Sequence, residues 1–229
     1  MNYEQIKNEF DWGPTNDEMK RLLEREFFNG GDCVYEKFNK VKEGDVVVDL
    51  GSSVGLFGYQ LKDRNAKNLY CVEPSIYEVD ALENNLKGMN YSLHNYAIGD
   101  NNDEVDAIIF NTQNKVETVK SKRFNTFIKE NNINQIDFLK TDCEGGEYEV
   151  FNIDNICWLK ENMKYCAGEW HLETKENKKK FREFRDVFLR VFPNHEVYSV
   201  NEVNIKWDLW NEHFIDYYKQ VLIYIDNRK

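Results

Sequence analysis

The stretch Val46-Val47-Val48-Asp49-Leu50-Gly51-Ser52-Ser53-Val54-Gly55 decides the fold. Its first five residues are apolar and mostly β-branched, the composition of a strand buried on both faces of a parallel sheet. The run stops at glycines and hydroxyl residues and passes into Leu56-Phe57, so a strand ends in a tight turn and a helix begins. The same alternation continues outward. Leu69 to Glu73 is a second strand; after Pro74, Ser75-Ile76-Tyr77-Glu78 has the form of a capping box opening a helix with Ile76, Val79, Leu82 and Leu86 on one face. Tyr91 to Ile98 reads as the third strand, Glu104 to Phe110 as a hairpin or edge strand, Ile136 to Thr141 as the fourth and Met163 to Glu169 as the fifth. Between the last two, Tyr148, Phe151, Ile156 and Leu159 line a helix. Phe181, Phe184, Val187, Phe188 and Val191 line another, which Pro193 ends, and Glu196 to Val200 and Gln220 to Ile225 are the final strands. This pattern predicts a doubly wound α/β sheet. Upstream, Thr15 to Glu18 form a second capping box ahead of Met19, Leu22, Leu23 and Phe27, and Val34 to Val41 makes a further short helix. The expected organisation is a helical extension over 1–43 and a single compact domain over 44–229.

The 229 residues carry 41 acidic against 30 basic side chains, a net charge of −11 that repels phosphate backbones and anionic lipid. No apolar run approaches the roughly 18 residues of a membrane span. Met1 to Phe10 also lack the basic and apolar regions of a signal peptide. The expectation is a cytoplasmic protein without a membrane or nucleic-acid partner. Cys33, Cys71, Cys143, Cys157 and Cys166 are odd in number and never spaced C-x-x-C, so they read as reduced thiols. The aromatic stretch holding Trp207, Trp210, Tyr217 and Tyr218 is expected to pack as core.

In an open α/β sheet ligands bind outside the carboxyl ends of the strands, where strand order reverses. The turn after the first strand is D-x-G-x-x-x-G, with Ser52 and Ser53 filling the place where a dinucleotide motif keeps a glycine free for a pyrophosphate. An acid before the turn suits a ligand with positive charge, and S-adenosylmethionine carries both an ammonium and a sulfonium. Its carboxylate can use the N–H groups of the turn. Glu73, about 20 residues beyond the glycines, stands where an acid accepts hydrogen bonds from ribose hydroxyls. A second acidic cluster, Asp142, Glu144 and Glu147, closes the fourth strand, and the fifth ends Gly168-Glu169-Trp170-His171. Compensation of a helix dipole is one reading of Glu144 and Glu147; Asp142, nearest the strand end, is harder to explain that way, and Asp49, Glu73, Asp142, Glu144, Glu147 and Glu169 are expected to gather along one rim of the sheet.

Asp49 to Gly55, the Glu73-Pro74-Ser75 turn, Tyr96 to Asp100, the block Ile136 to Glu147 and the Glu169-x-His171 ending resemble the FkbM family of S-adenosylmethionine-dependent methyltransferases. The similarity spans roughly Gly44 to His171, and the Lys140-x-Asp142-x-Glu144-Gly145-x-Glu147 block is its most specific part. The resemblance implies a class I methyltransferase-like, mostly parallel seven-stranded sheet with the last strand antiparallel. It also implies a hydroxyl acceptor on a sugar or other small molecule. Carried over by position, Asp49, Gly51, Ser52, Ser53 and Gly55 bracket the methionine part of the cofactor, with Asp142 near by. Glu73, Pro74 and Ser75 surround the ribose, and Tyr96 with Ala97 the adenine. Ser52-Ser53 stands where the family often has Ala-Asn, and Gly146 where Ala is common.

The expected chemistry is in-line displacement on the methyl group, with His171 as base and Asp142 or Glu169 orienting it. A variant has Asp142, Glu169 and His171 holding a divalent cation that lowers the acceptor's pKa. Three other readings compete: an RNA ribose 2′-O-methyltransferase using Lys140 and Asp142, a non-catalytic S-adenosylmethionine-binding module, and an NAD-dependent oxidoreductase, for which the glycine spacing is wrong. An RNA enzyme needs a basic, aromatic-interleaved groove, and Lys178 to Arg190 is the candidate for it.

Overall fold

The computed structural model describes residues 9–14, 20, 39–109, 115–201 and 203–228. The capping box at Thr15, Cys33, Phe110 and most of the predicted Val34 to Val41 helix lie outside them. The first half of the fold is β1 (Val46–Leu50), α1 (Leu56–Gln60), β2 (Asn68–Val72), α2 (Ile76–Leu86), β3 (Tyr91–His94), β4 (Ala97–Ile98), β5 (Glu104–Ile109) and β6 (Lys115–Lys122). It continues as α3 (Phe124–Glu130), β7 (Ile136–Thr141), α4 (Glu147–Val150), α5 (Ile156–Asn162), β8 (Met163–His171), α6 (Lys175–Glu183), β9 (His195–Tyr198), α7 (Glu212–Tyr217) and β10 (Gln220–Asp226).

Seven strands form one sheet in the order β3-β2-β1-β7-β8-β10-β9, parallel except for β10, which runs antiparallel to both β8 and β9. Val48 and Leu50 of β1 enter one apolar layer with Phe124, Phe151 and Trp170, while Val47 enters the other with Phe57, Leu69 and Leu82. Burial on both faces is what the β-branched run demands. Residues 9–14 join the second layer, where the Phe10 ring stands edge-on to Tyr59 at 5.2 Å.

Three expectations are corrected, the first two by local hydrogen bonding. Tyr91 to Ile98 is two strands, because Asn95 donates its side-chain amide to the Glu73 and Pro74 carbonyls and turns the chain out of the large sheet. β4 then pairs with β6 in a second sheet of order β4-β6-β5. The helix expected from Tyr148 to Leu159 breaks into α4 and α5, since the Asn152 carboxamide oxygen accepts from the Asp154 and Asn155 N–H groups and starts a new turn. The aromatic stretch is not core throughout: Leu209, Phe214 and Ile215 supply the buried face, leaving Trp207 90% and Tyr217 80% exposed. Among the described residues no helix is long and apolar enough to cross a membrane.

Candidate active site

β1 lies between β2 and β7, so strand order reverses at its carboxyl end. The loops leaving these three strands are tied together by backbone. Gly51 and Ser52 donate to the Val72 carbonyl at 2.9 and 3.1 Å, and Asp142 donates to the Leu50 carbonyl at 3.1 Å. Gly51 has φ +75°, and a Cβ there would stand 1.8 Å from the Asp142 carbonyl oxygen, so only glycine lets the two loops meet.

Asp49 and Lys140 are register partners on β1 and β7 and share a face. The Lys140 ammonium lies 3.2 Å from the Asp49 carboxylate, donates to the Gly51 carbonyl at 2.6 Å and is 4.0 Å from Asp142. Burial pushes the Asp49 carboxyl up, and Lys140 opposes this. Burial also works against charge on Lys140, but Asp49 and Asp142 outweigh it and hold the ammonium above the ordinary lysine range. Asp49, Ser52, whose hydroxyl donates to the Asp49 carbonyl, and Gly55, which opens α1 at φ +81°, lie behind the wall of the site and shape the turn.

In front of that wall is a cavity of about 660 Å³. Gly51 and Ser53 reach it from the first turn, and Glu73, Pro74, Ser75 and Glu78 from the second. Tyr96 and Ala97 enter beside them, and Val105 and Asp106 of β5 close the same side. The Glu73 carboxylate accepts from the Ser53 N–H at 2.7 Å and the Ser75 N–H at 2.8 Å. Burial raises its pKa to about 7 against these two donors. A second cavity, about 420 Å³, opens at the opposite ends of β1, β7 and β8 beside Asp45, Asp137 and Lys164; Asp49, Glu73, Asp142, Glu144, Glu147 and Glu169 do not line it.

Asp142, Glu144, Glu169 and His171 share the far wall of the main cavity. His171 is 4% exposed. Its Nδ1 sits 2.9 Å from the carboxylate of Glu147, which is fully buried and also accepts the Cys143 N–H. Its Nε2 is 3.4 Å from Glu144 and 3.9 Å from Asp142. Burial disfavours the cationic ring, yet the Glu147 and Glu144 charges win and hold the imidazole pKa well above its ordinary value. Glu147 therefore stands in the orienting position that the sequence reading gave to Asp142 or Glu169, and Glu169 lines the cavity two residues away on the same strand. Asp142, Glu144 and His171 each offer an atom within 4.8 Å of the others, a spacing a cation could span and a different set from Asp142, Glu169 and His171.

Glu78 is the site residue that sequence reasoning did not pick: a helix-start pattern absorbed it, although it stands six residues beyond the end of β2. Glu144 and Glu147 are expected from the sequence among the acids of this rim, but not as partners of His171, a pairing that only β8 brings about.

A family model described as "Methyltransferase FkbM domain" matches residues 56–199. No curated protein sequence matches the chain. Among solved structures, the fold is similar to an rRNA methylase from Streptococcus thermophilus at 9% identity, with 88% of this chain and 99% of that one covered and a TM-score of 0.54. It is also similar to a Clostridium thermocellum protein designated an rRNA methylase, at 11% identity, 81% and 90% coverage and a TM-score of 0.50.

Proposed function

Because the chain belongs to the FkbM family of S-adenosylmethionine-dependent methyltransferases, we propose that it methylates a hydroxyl group of a sugar or another small molecule. The observation that carries this reading is a buried imidazole, backed by a buried carboxylate, opening on the same cavity as Glu73.

The cavity fits the cofactor. Glu73 keeps lone pairs beyond its two backbone bonds for a ribose diol. Ser75 Oγ is buried beside it without a hydrogen-bond partner. Ser53 and Gly51 would bound the methionine part, Tyr96 and Ala97 the adenine. When bound, S-adenosylmethionine supplies an electrophilic methyl group on a sulfonium. The Asp142, Glu144 and Glu169 carboxylates favour positive charge at that end of the cavity, and His171 Nε2 is the atom that would take the acceptor's proton.

A small acceptor is favoured over RNA by the state of the basic segment Lys178 to Arg190. Lys178 faces Asp216, Lys180 pairs with Glu149, and Arg182 and Arg185 pair with Glu212. Lys140 is committed to Asp49 and the Gly51 carbonyl. A phosphate backbone would have to compete with each of these acids.

The test is a transfer assay in which methyl-labelled cofactor is offered saccharides and other hydroxylated small molecules beside RNA. Label is expected in an alkali-stable ether of a small molecule, and recovery in RNA alone would overturn the acceptor class. Glu73→Ala, which removes hydrogen bonds to a charged group, is expected to weaken S-adenosylhomocysteine binding about 10- to 100-fold by calorimetry. Unchanged affinity would remove Glu73 from the ribose.

Chelation by EDTA is expected to leave turnover unchanged. The cationic His171 ring already offsets the Glu144 and Glu147 charges, so these carboxylates do not need a metal ion to be held together. Loss of activity that magnesium restores would overturn the proton-holding role of this cluster.

A further inference from the structure

Ser75 to Glu78 has the spacing of a capping box, yet neither side chain caps α2. Ser75 occupies the N-cap position without a side-chain capping bond. Glu78 instead bonds Ser53 and lies close enough to Glu73 for their charges to interact, lining the same cavity. Glu73 and Glu78 are only 6% and 3% exposed. A first-turn glutamate left in water is favoured by the helix dipole, whereas this one is buried beside a second carboxyl, where ionising both is costly. The other charges acting on the pair come from β7 and β1, as Lys140 and Asp49, and these two are bonded to each other.

Such a pair keeps one proton. Burial and then the Glu73 charge push the Glu78 carboxyl up to about 8. Glu73 is restrained by the Ser53 and Ser75 N–H groups, so its charge is the better stabilised and the proton rests on Glu78.

We propose that Glu78 is a second carboxyl of the ribose subsite and works as a neutral acid, its proton being required for the nucleoside part of the cofactor to bind. This rests on the cofactor reading above. Covering the pair with a ribose removes water and makes a second charge costlier, so the bound enzyme holds the proton more tightly than the free one. By linkage, nucleoside affinity falls as pH rises through the free enzyme's titration.

The probe is 5′-methylthioadenosine, which has the ribose and adenine but no group that titrates between about pH 6.5 and 9, where Asp, Glu and Lys side chains are also ordinarily silent. Wild-type Kd is expected to rise about tenfold from pH 7.5 to 9, with fractional proton uptake on binding when titrated in two buffers of different ionisation enthalpy. Glu78→Gln, a neutral near-isostere, is expected to bind with a flat pH profile and no uptake. A flat wild-type profile with no proton uptake overturns the proposal, and so does a slope that survives in Glu78→Gln. If Glu78→Gln fails to fold, proton uptake by His171→Ala, which lacks the other group on this cavity whose pKa is raised into this range, decides the matter instead. S-adenosylhomocysteine at pH 7 is the control: if it does not bind, the cofactor reading itself has failed, whereas if it binds while the nucleoside profile is flat, only the Glu78 role is lost.

Discussion

Lys140→Met is expected to lower the stability of the folded chain by about 3 to 5 kcal/mol, the usual cost of stripping one partner from a buried ion pair. Asp49 is 0% exposed and would be left facing an apolar chain with its charge uncompensated. For a domain of this length such a loss corresponds to a fall in Tm of roughly 6 to 20 °C. The same substitution removes the donor to the Gly51 carbonyl, so the turn beside the cavity loosens as well. Cofactor affinity should therefore fall together with stability. Thermal unfolding of Lys140→Met and of the double variant Asp49→Leu with Lys140→Met separates the two effects. Removing both charges takes away the unpaired carboxylate and is expected to recover most of the lost Tm, because a buried pair exchanged for apolar side chains is often near neutral. The turn still lacks its donor, so affinity should stay low in the double variant. A Tm for Lys140→Met close to that of wild type would mean that Lys140 does not hold β1 to β7 electrostatically.

This ion pair also marks how far the sequence could be read. The β-branched run of β1 and the apolar block of β7 each declared a two-face-buried strand, and a parallel sheet follows from strands of that kind. That Asp49 and Lys140 face each other is a matter of register between strands 91 residues apart, which no local pattern encodes. The same limit explains Glu147, which as a first-turn acid looks like dipole compensation until β8 brings His171 to its side. Glu78 shows the opposite failure: a local motif was present, but burial beside Ser53 and Glu73 overrode it. β6 escaped reading because Lys115–Lys122 interleaves charged residues with Val, Thr and Ser and gains its strand character from pairing with β5 and β4. The glycine turn, by contrast, was legible because its requirement is steric and local: a positive φ and a carbonyl at Cβ distance leave one residue type.

His171→Ala is expected to lower kcat by about 10²- to 10⁴-fold, the contribution of a positioned general base. S-adenosylhomocysteine affinity should change little, since the cofactor contacts assigned here are Glu73, Ser75 and the Gly51 turn. Residual turnover should remain measurable, because holding donor and acceptor in a reactive geometry supplies about 7 to 11 kcal/mol, more than proton removal does. The pH profile gives the assignment its sharper test. The Glu147 and Glu144 carboxylates hold the imidazole pKa well above its ordinary value. The neutral, proton-accepting ring is thus a minority species at neutral pH, and kcat/KM should rise with pH, reaching its plateau only on the alkaline side. Glu147→Gln keeps a hydrogen-bonding group at Nδ1 but removes the charge, so the limb should move toward lower pH. The plateau should fall at the same time, because a ring of lower pKa is a weaker base. A limb that stays in place in Glu147→Gln would assign the titration to another group, and full turnover by His171→Ala with the true acceptor would leave displacement on the methyl group to positioning alone.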